Sequence, residues 1–293
     1  MKRVWMSAAA VLLMLALSAA LVTPAWAEGC APVAQNLELK TYRNTSVGGT
    51  LSAYDPDGDV TGYEITTQPI KGTLKLEEDG SFVYTPRPNK KGRDYFGYKA
   101  VDAAGNRSQE ATAIIRIEKD RGGVHYEDMS GRAGEFAAVE LSKAGLFTGE
   151  TLGGRAYFGP DRGVTRGEFL QLCALACNSP VLDGVFSSGY TDDETMSDWT
   201  KALAATAAME GTSPRGGAFE GEALIGLHEA ARMLERALGL GEATAESEAE
   251  EGLRACMSLA AAGVLDEKET GDKVLTRETA AMMLVKAMAL KEN

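Results

Sequence analysis

Two dipeptides carry the chemistry that this sequence displays most openly. Thr165-Arg166 and Thr276-Arg277 each stand directly before an apolar-patterned run, the first within VTRGEF and the second within LTRETA. An arginine in a first helical turn opposes the helix dipole, so it needs a partner from outside that turn. A helix N-terminus and a guanidinium fork together suit an anion, a carboxylate included. The competing reading is a surface ion pair, for Arg166 with Asp161, which would stabilise little. A second group has the opposite sign: Asp55, Asp57 and Asp59, in DPDGD, are hard oxygen ligands of the kind calcium takes. This is not an EF-hand loop, because Val60 stands where the glycine belongs and Thr66 where the closing glutamate belongs. An exposed Asp-Pro, Asp-Gly turn that needs no metal is the alternative. No Ser, His and Asp series, paired-carboxylate cleft, phosphate loop or metal motif accompanies these groups. His125 and His228 lie far apart in sequence, which argues against zinc.

The elements that must position these residues follow from the rest of the chain. Its 293 residues are 44% hydrophobic and 25% charged, enough for two compact domains. The opening MKRVWMSAAAVLLMLALSAALVTPAWA has Lys2 and Arg3, an apolar core and small residues at Ala25 and Ala27, the pattern of a secretory signal peptide over residues 1–27. The apolar run is short for a membrane span of roughly 20 residues, so no stable span is expected after cleavage. Ala27 and Glu28 make a poor lipidation site ahead of Cys30. Residues 28–119 hold 13 acids and 12 bases, whereas 120–293 hold 29 acids and 16 bases, a net of 16 − 29 = −13. That sign argues against a nucleic-acid partner. Cys173 and Cys177 lie one helical turn apart, and with Cys256 they read as buried small hydrophobes or as candidates for one bridge to Cys256.

Between Leu37 and Lys119 short alternating strands are separated by turn residues, and Asp79-Gly80 between TLKLEE and SFVYTP predicts a hairpin with a two-residue type I′ turn. About seven strands in roughly 85 residues suit an immunoglobulin-like β-sandwich over 31–119. APVA, DPDGD, KGTL, GSFVYTP, GRDYFGY and VDAAGN, in that order, resemble the cadherin-like or Ig-like repeats of bacterial surface proteins. The resemblance implies calcium between strands, held by Asp55, Asp57 and Asp59 and joined by Asp102.

The second half repeats itself. Aligned on Gly145, Gly211 and Gly263, apolar residues recur four and eight positions earlier, as Leu141, Ala207 and Leu259 and as Ala137, Leu203 and Ala255. Each glycine therefore ends a helix in a left-handed residue. Thr165, Gly226 and Thr276 open a second helix in each copy, and Cys173, Leu234 and Leu284 follow eight residues later on its core face. Thr165 and Glu168 have the spacing of a capping box. YEDM, a helix, AGLFTG and YFGPDRGVTRGEF resemble the S-layer homology repeat, three of which form one all-α module. Three copies are expected over 120–181, 186–240 and 241–293, the last opening in the acidic stretch Gly241 to Glu251.

That resemblance implies binding of a pyruvylated secondary cell-wall polysaccharide, with the pocket carried by Asp128, Thr165 and Arg166 in the first copy and by Thr276 and Arg277 in the third. Trp199 matches the helix-start tryptophan of the family, with sugar stacking and core packing both open. The copies are worn: Gly226 and Leu227 replace Thr-Arg in the second, and Thr279 replaces the box glutamate in the third. The chain is thus expected to be a multidomain, noncatalytic, exported bacterial surface protein, anchored to the cell wall and displaying an Ig-like spacer or adhesion domain. The alternatives are a secreted assembly protein whose repeats bind another surface protein, and a wall-associated enzyme.

Overall fold

The computed structural model describes residues 29–120, 122–213, 216–241, 248–266 and 268–291. The signal-peptide expectation over 1–27 falls outside the described residues, as does most of the acidic stretch.

Alternation builds the first half. In β7 (Ser81–Pro86), Phe82, Tyr84 and Pro86 are buried and the residues between them are not, as a period of two requires. One sheet runs in the order β2 (Leu37–Tyr42), β9 (Ala111–Glu118), β8 (Gly92–Asp102), β5 (Val60–Thr67), with β2 parallel to β9 and the other pairs antiparallel. The other runs β3 (Val47–Thr50), β7, β6 (Gly72–Leu76), and β1 (Val33–Ala34) pairs with β4 (Ala53–Tyr54). Two of these nine strands have only two residues, which is why the sequence shows about seven. Phe82, Tyr84, Phe96, Tyr98 and Ile115 form the core between the sheets, with the Phe82 and Phe96 rings edge-on at 5.3 Å. The Asp79-Gly80 hairpin is present, but its turn is not type I′. Gly80 alone has a positive φ, +86°, and its N–H donates to Glu77 O, giving a longer turn that closes on a left-handed glycine. Asp79 instead accepts from Ser81 N and Oγ, which favours a right-handed backbone at the aspartate.

The second half is helical: α1 (Glu135–Lys143), α2 (Arg166–Ala176), α3 (Asp198–Met209), α4 (Leu227–Leu238), α5 (Glu248–Ala261) and α6 (Arg277–Lys291). Gly145, Gly211 and Gly263 end α1, α3 and α5 at φ +70°, +71° and +74°. The residue after each glycine donates to the carbonyl five positions back: Leu146 to Leu141, Thr212 to Ala207, Val264 to Leu259. Only a residue free of Cβ crowding adopts that bend cheaply, so the three glycines fix one shared exit angle. The half is not all-α, however. β10 (Glu150–Leu152) and β11 (Arg155–Tyr157) form a hairpin around Gly153-Gly154, both at positive φ. Gly-Gly is a two-residue hairpin signal, and the helical repeat pattern masked it.

The core of this half gathers Leu141, Phe158, Phe169, Ile225, Leu259 and Leu284 from all three copies. Cys173, Cys177 and Cys256 lie within it as free thiols. The sandwich rests on α1. Gly48 N donates to Ala133 O, Phe136 N to Ser46 O, and the Tyr42 hydroxyl to Glu140 at 2.7 Å.

Candidate functional site

The three copies meet on a pseudo-threefold axis. The short segments 163–165, 224–226 and 274–276 bridge one another, and their central residues close a cycle: Val164 N donates to Leu275 O, Leu275 N to Ile225 O, and Ile225 N to Val164 O, at 2.9 to 3.0 Å. The apolar side chains of these three residues are at most 2% exposed. Each helix that comes next spends its first amide on the neighbouring copy: Arg166 N on Ala223 O, Leu227 N on Lys273 O, Arg277 N on Arg162 O. The second amide of α2 goes to Gly221 O and that of α6 to Pro160 O. Helix-tip donors that would have favoured an anion are therefore filled from within, and any anion must be met by side chains.

Thr165 caps α2 as expected. Its hydroxyl accepts from Glu168 N, and Glu168 accepts from Thr165 N at 3.0 Å, the reciprocal box. Thr276 accepts from Thr279 N at 3.2 Å, half of that box. Asp128 accepts from Phe158 N and Gly159 N at 2.9 and 2.7 Å, tying the entry of the first copy to its own loop. Asp192 does the same with Phe219 N and Glu220 N. Burial works against the Asp192 charge, yet those two amides prevail and hold its carboxyl below the ordinary range.

The two arginines part company. The Arg166 fork is filled: Nε donates to Glu229 Oε1 at 2.6 Å, Nη2 to Glu229 Oε2 at 3.2 Å, and Nη1 to Phe219 O at 2.6 Å. Its ion-pair partner is Glu229, with Glu220 further off, and not Asp161, which pairs with Arg132. Among the described residues the Arg277 guanidinium makes one hydrogen bond, from Nη1 to Phe158 O at 3.2 Å, and its carboxylate neighbours Glu150 and Glu168 stand back at 3.9 and 4.0 Å. Its guanidinium lies over the Phe147 ring at 4.9 Å. Nε and Nη2 thus keep donor capacity. Arg277 lines a cleft of about 160 Å³ between the first and third copies, together with Phe147, Phe158, Glu168 and Gln171. Trp199, in the first turn of α3, is 47% exposed and not a core residue. Glu229, Phe147 and Gln171 were not singled out by sequence. For Glu229 the signal was available, since it keeps the box position three residues past Gly226 after the threonine is lost.

The carboxylate group on the sandwich forms a real cluster from three of the four expected aspartates, Asp55, Asp59 and Asp102. Asp59 precedes β5, whose Val60 pairs with Asp102 at the end of β8. Single carboxylate oxygens of Asp55, Asp59 and Asp102 all lie within 4.8 Å of one another. Asp57 turns away and accepts from Cys30 N at 2.6 Å. Asp55 is 8% exposed, and its Oδ2 and Asp59 Oδ1 are buried without a hydrogen-bond partner. Burial, then Asp55, Asp102 and Asp57, push the Asp59 carboxyl up. Burial also opposes the Asp102 charge, but hydrogen bonds from Asn106 and nearby amides outweigh it and hold that carboxyl low. Two orphaned oxygens among three converging carboxylates fit a hard divalent cation such as calcium, which would satisfy both and cancel the repulsion.

Residues 30–119 match the bacterial cadherin-like domain. The cadherin-like domain is therefore the β-sandwich, and the match stops where the helical region begins. A comparison with curated proteins finds no match. Among solved structures, the SrpA adhesin of Streptococcus sanguinis, studied as a point mutant, is similar at 19% identity over 33% of this chain and 64% of its own, with a TM-score of 0.27. The sialic acid binding region of the Streptococcus sanguinis SK1 adhesin, bound to 3'sLn, is similar at 18% identity over 31% of this chain and 29% of its own, with a TM-score of 0.25. Fibronectin(III)-like modules of Clostridium thermocellum CbhA are similar at 15% identity over 33% of this chain and 53% of their own, with a TM-score of 0.24. This chain spans less than two-thirds of each of these proteins. Among the described residues no helix is long and apolar enough to cross a membrane.

Proposed function

We propose that this chain is a noncatalytic protein of the bacterial cell surface whose helical module, a degenerate set of S-layer homology repeats, grips an acidic cell-wall polysaccharide while the cadherin-like domain is held outward. The reading rests on one observation: Arg277 is a guanidinium with an 11% exposed side chain and unspent donors, lining an open cleft beside the Phe147 ring. A sugar-borne carboxylate reaching Nε and Nη2 meets a pre-oriented fork, and the ring and Gln171 offer a stacking face and an amide. Arg166 is the bolt between the first and second copies and takes no sugar. Asp55, Asp59 and Asp102 hold calcium, which stiffens the cadherin-like domain.

The test is sedimentation of the purified chain with isolated wall sacculi, before and after removal of pyruvylated polymer. Arg277→Ala is expected to lose retention with an unchanged melting temperature. Arg166→Ala is expected to keep retention while losing roughly 1–3 kcal/mol of stability, because Glu229 is left unpaired. Retention of Arg277→Ala at the wild-type level removes the site. A second reading, docking of the module on another surface protein, is favoured by Leu224 and Val274, 57% and 50% exposed at equivalent positions beside the pseudo-threefold axis. Sacculus binding that survives polymer removal but fails on replacing both with serine would favour it.

A further inference from the structure

One end of the cadherin-like domain collects cations that have no carboxylate to answer them. Arg87, Lys90, Lys91 and Arg93 follow β7 and enter β8, and all four are exposed. Lys71 joins them at the start of β6: its backbone carbonyl accepts from Arg87 N, and its ammonium donates to Lys91 O at 3.2 Å. Arg43 is brought alongside because Asn89 N donates to the Asn44 side chain at 2.8 Å. Two acids stand at this end: Asp94, which is 3% exposed and already occupied by Ile70 N, Lys71 N and the Tyr84 hydroxyl, and Glu118, whose carbonyl accepts from Arg43 N and whose carboxylate pairs with Lys40 at 3.6 Å. Among the described residues none of these six cations forms an ion pair, whereas Lys40, Lys75, Arg107 and Arg116 of the same domain each do. The domain is near neutral overall, so six bases beside two acids that already have other partners make a concentrated positive cap on a chain whose other half carries −13. Glu140 and Glu135 of α1 are already engaged, by the Tyr42 hydroxyl and Ser46 N, and screening over roughly 8 Å limits what acids further off take from the cap.

We infer that this cap is a second, independent binding surface for an acidic polysaccharide strand. Like charges held together with no internal partner cost stability, and an external polyanion recovers that cost by releasing its counterions. Asn44 and Asn89, both exposed, interleave with the cations and supply the neutral hydrogen bonding that sugar hydroxyls use. Ile70 is the exposed apolar side chain beside Lys71, too little for insertion into a lipid surface. The inference shares with the proposed function only the export of the chain to the envelope. Two such surfaces on one chain would multiply weak contacts with one polymer.

The experiment uses the full chain with purified acidic wall polysaccharide, and in parallel with vesicles of anionic phospholipid, over a salt series. Lys90→Glu/Lys91→Glu/Arg93→Glu is compared with Arg277→Ala. The triple variant is expected to bind the polysaccharide about tenfold more weakly at low salt and to flatten the dependence of log affinity on log salt by about two, with an unchanged melting temperature. Arg277→Ala removes a single cation and is expected to weaken binding while flattening that slope by no more than about one, so failure of the cleft and failure of the cap are read separately. A triple variant with wild-type affinity and slope overturns the inference. Retention on vesicles in place of polysaccharide overturns it too.

Discussion

Arg166 and Arg277 each follow a threonine at the head of a helix, and it is Arg166 that sits within the complete capping box, yet it is the Arg277 fork that stays open. Their difference is a matter of reach: Glu229 comes within 2.6 Å of one, whereas Glu168 stops 4.0 Å from the other. That distance depends on how adjacent copies tilt, which no local pattern records. The aspartates tell a similar story. Of the four aspartates expected at a cation site, Asp57 is taken instead by Cys30 N, whereas Asp102 is carried to Asp55 and Asp59 by its strand pairing with Val60. Asp59 carries the testable consequence. Its folded carboxyl is raised, so ionising it costs the apo domain stability that is lost as pH rises above the ordinary carboxyl range. Asp59→Asn is expected to raise the melting temperature in chelator at neutral pH and to abolish the further rise that calcium gives the wild type. A calcium-dependent shift of equal size in both proteins would show that Asp59 is not a ligand.

Helix ends were the most legible elements, since their signals are local. The three glycines and the Thr165–Glu168 box stand where spacing put them. The second copy looked defective, because Gly226 offers no hydroxyl to cap α4. The cap is supplied across copies: Asp272 Oδ1 accepts from His228 N at 3.2 Å. A Cβ on Gly226 would come within 2.6 Å of that same oxygen, so the glycine and the aspartate exclude an ordinary cap at this place. A long-range substitution of this kind leaves no periodic trace, and neither did the hairpin hidden between α1 and α2. Asp272→Ala is expected to cost about 1 kcal/mol in denaturant unfolding, the usual penalty of a lost cap. Adding Gly226→Thr to that variant is expected to recover most of it, although Gly226→Thr alone destabilises. If the double variant is no better than Asp272→Ala, the exchange of caps is wrong.

At the scale of the whole molecule, the cycle of hydrogen bonds through Val164, Leu275 and Ile225 makes three sequence copies one folding unit, and α1 makes that unit the platform for the cadherin-like domain. The joint between the sandwich and α1 left no local signal in the sequence, because it is built from a loop and a helix 89 residues apart. Its centre is Glu135, which is 4% exposed and accepts from Ser46 N of the sandwich at 2.9 Å and Gly131 N at 3.1 Å. Burial pushes its carboxyl up, and the amides of Ser46 and Gly131 only partly offset this. The native state therefore binds this proton more tightly than the unfolded chain does, so stability falls as pH climbs from the ordinary glutamate value through the raised one. Glu135→Gln keeps an oxygen for both amides and removes the charge. Melting followed from about pH 4 to pH 7 should show the wild type declining relative to Glu135→Gln, with cleavage in the 119–123 segment by a protease becoming easier only in the wild type. Two parallel curves would mean that the joint between the cadherin-like domain and the helical module does not depend on this carboxylate.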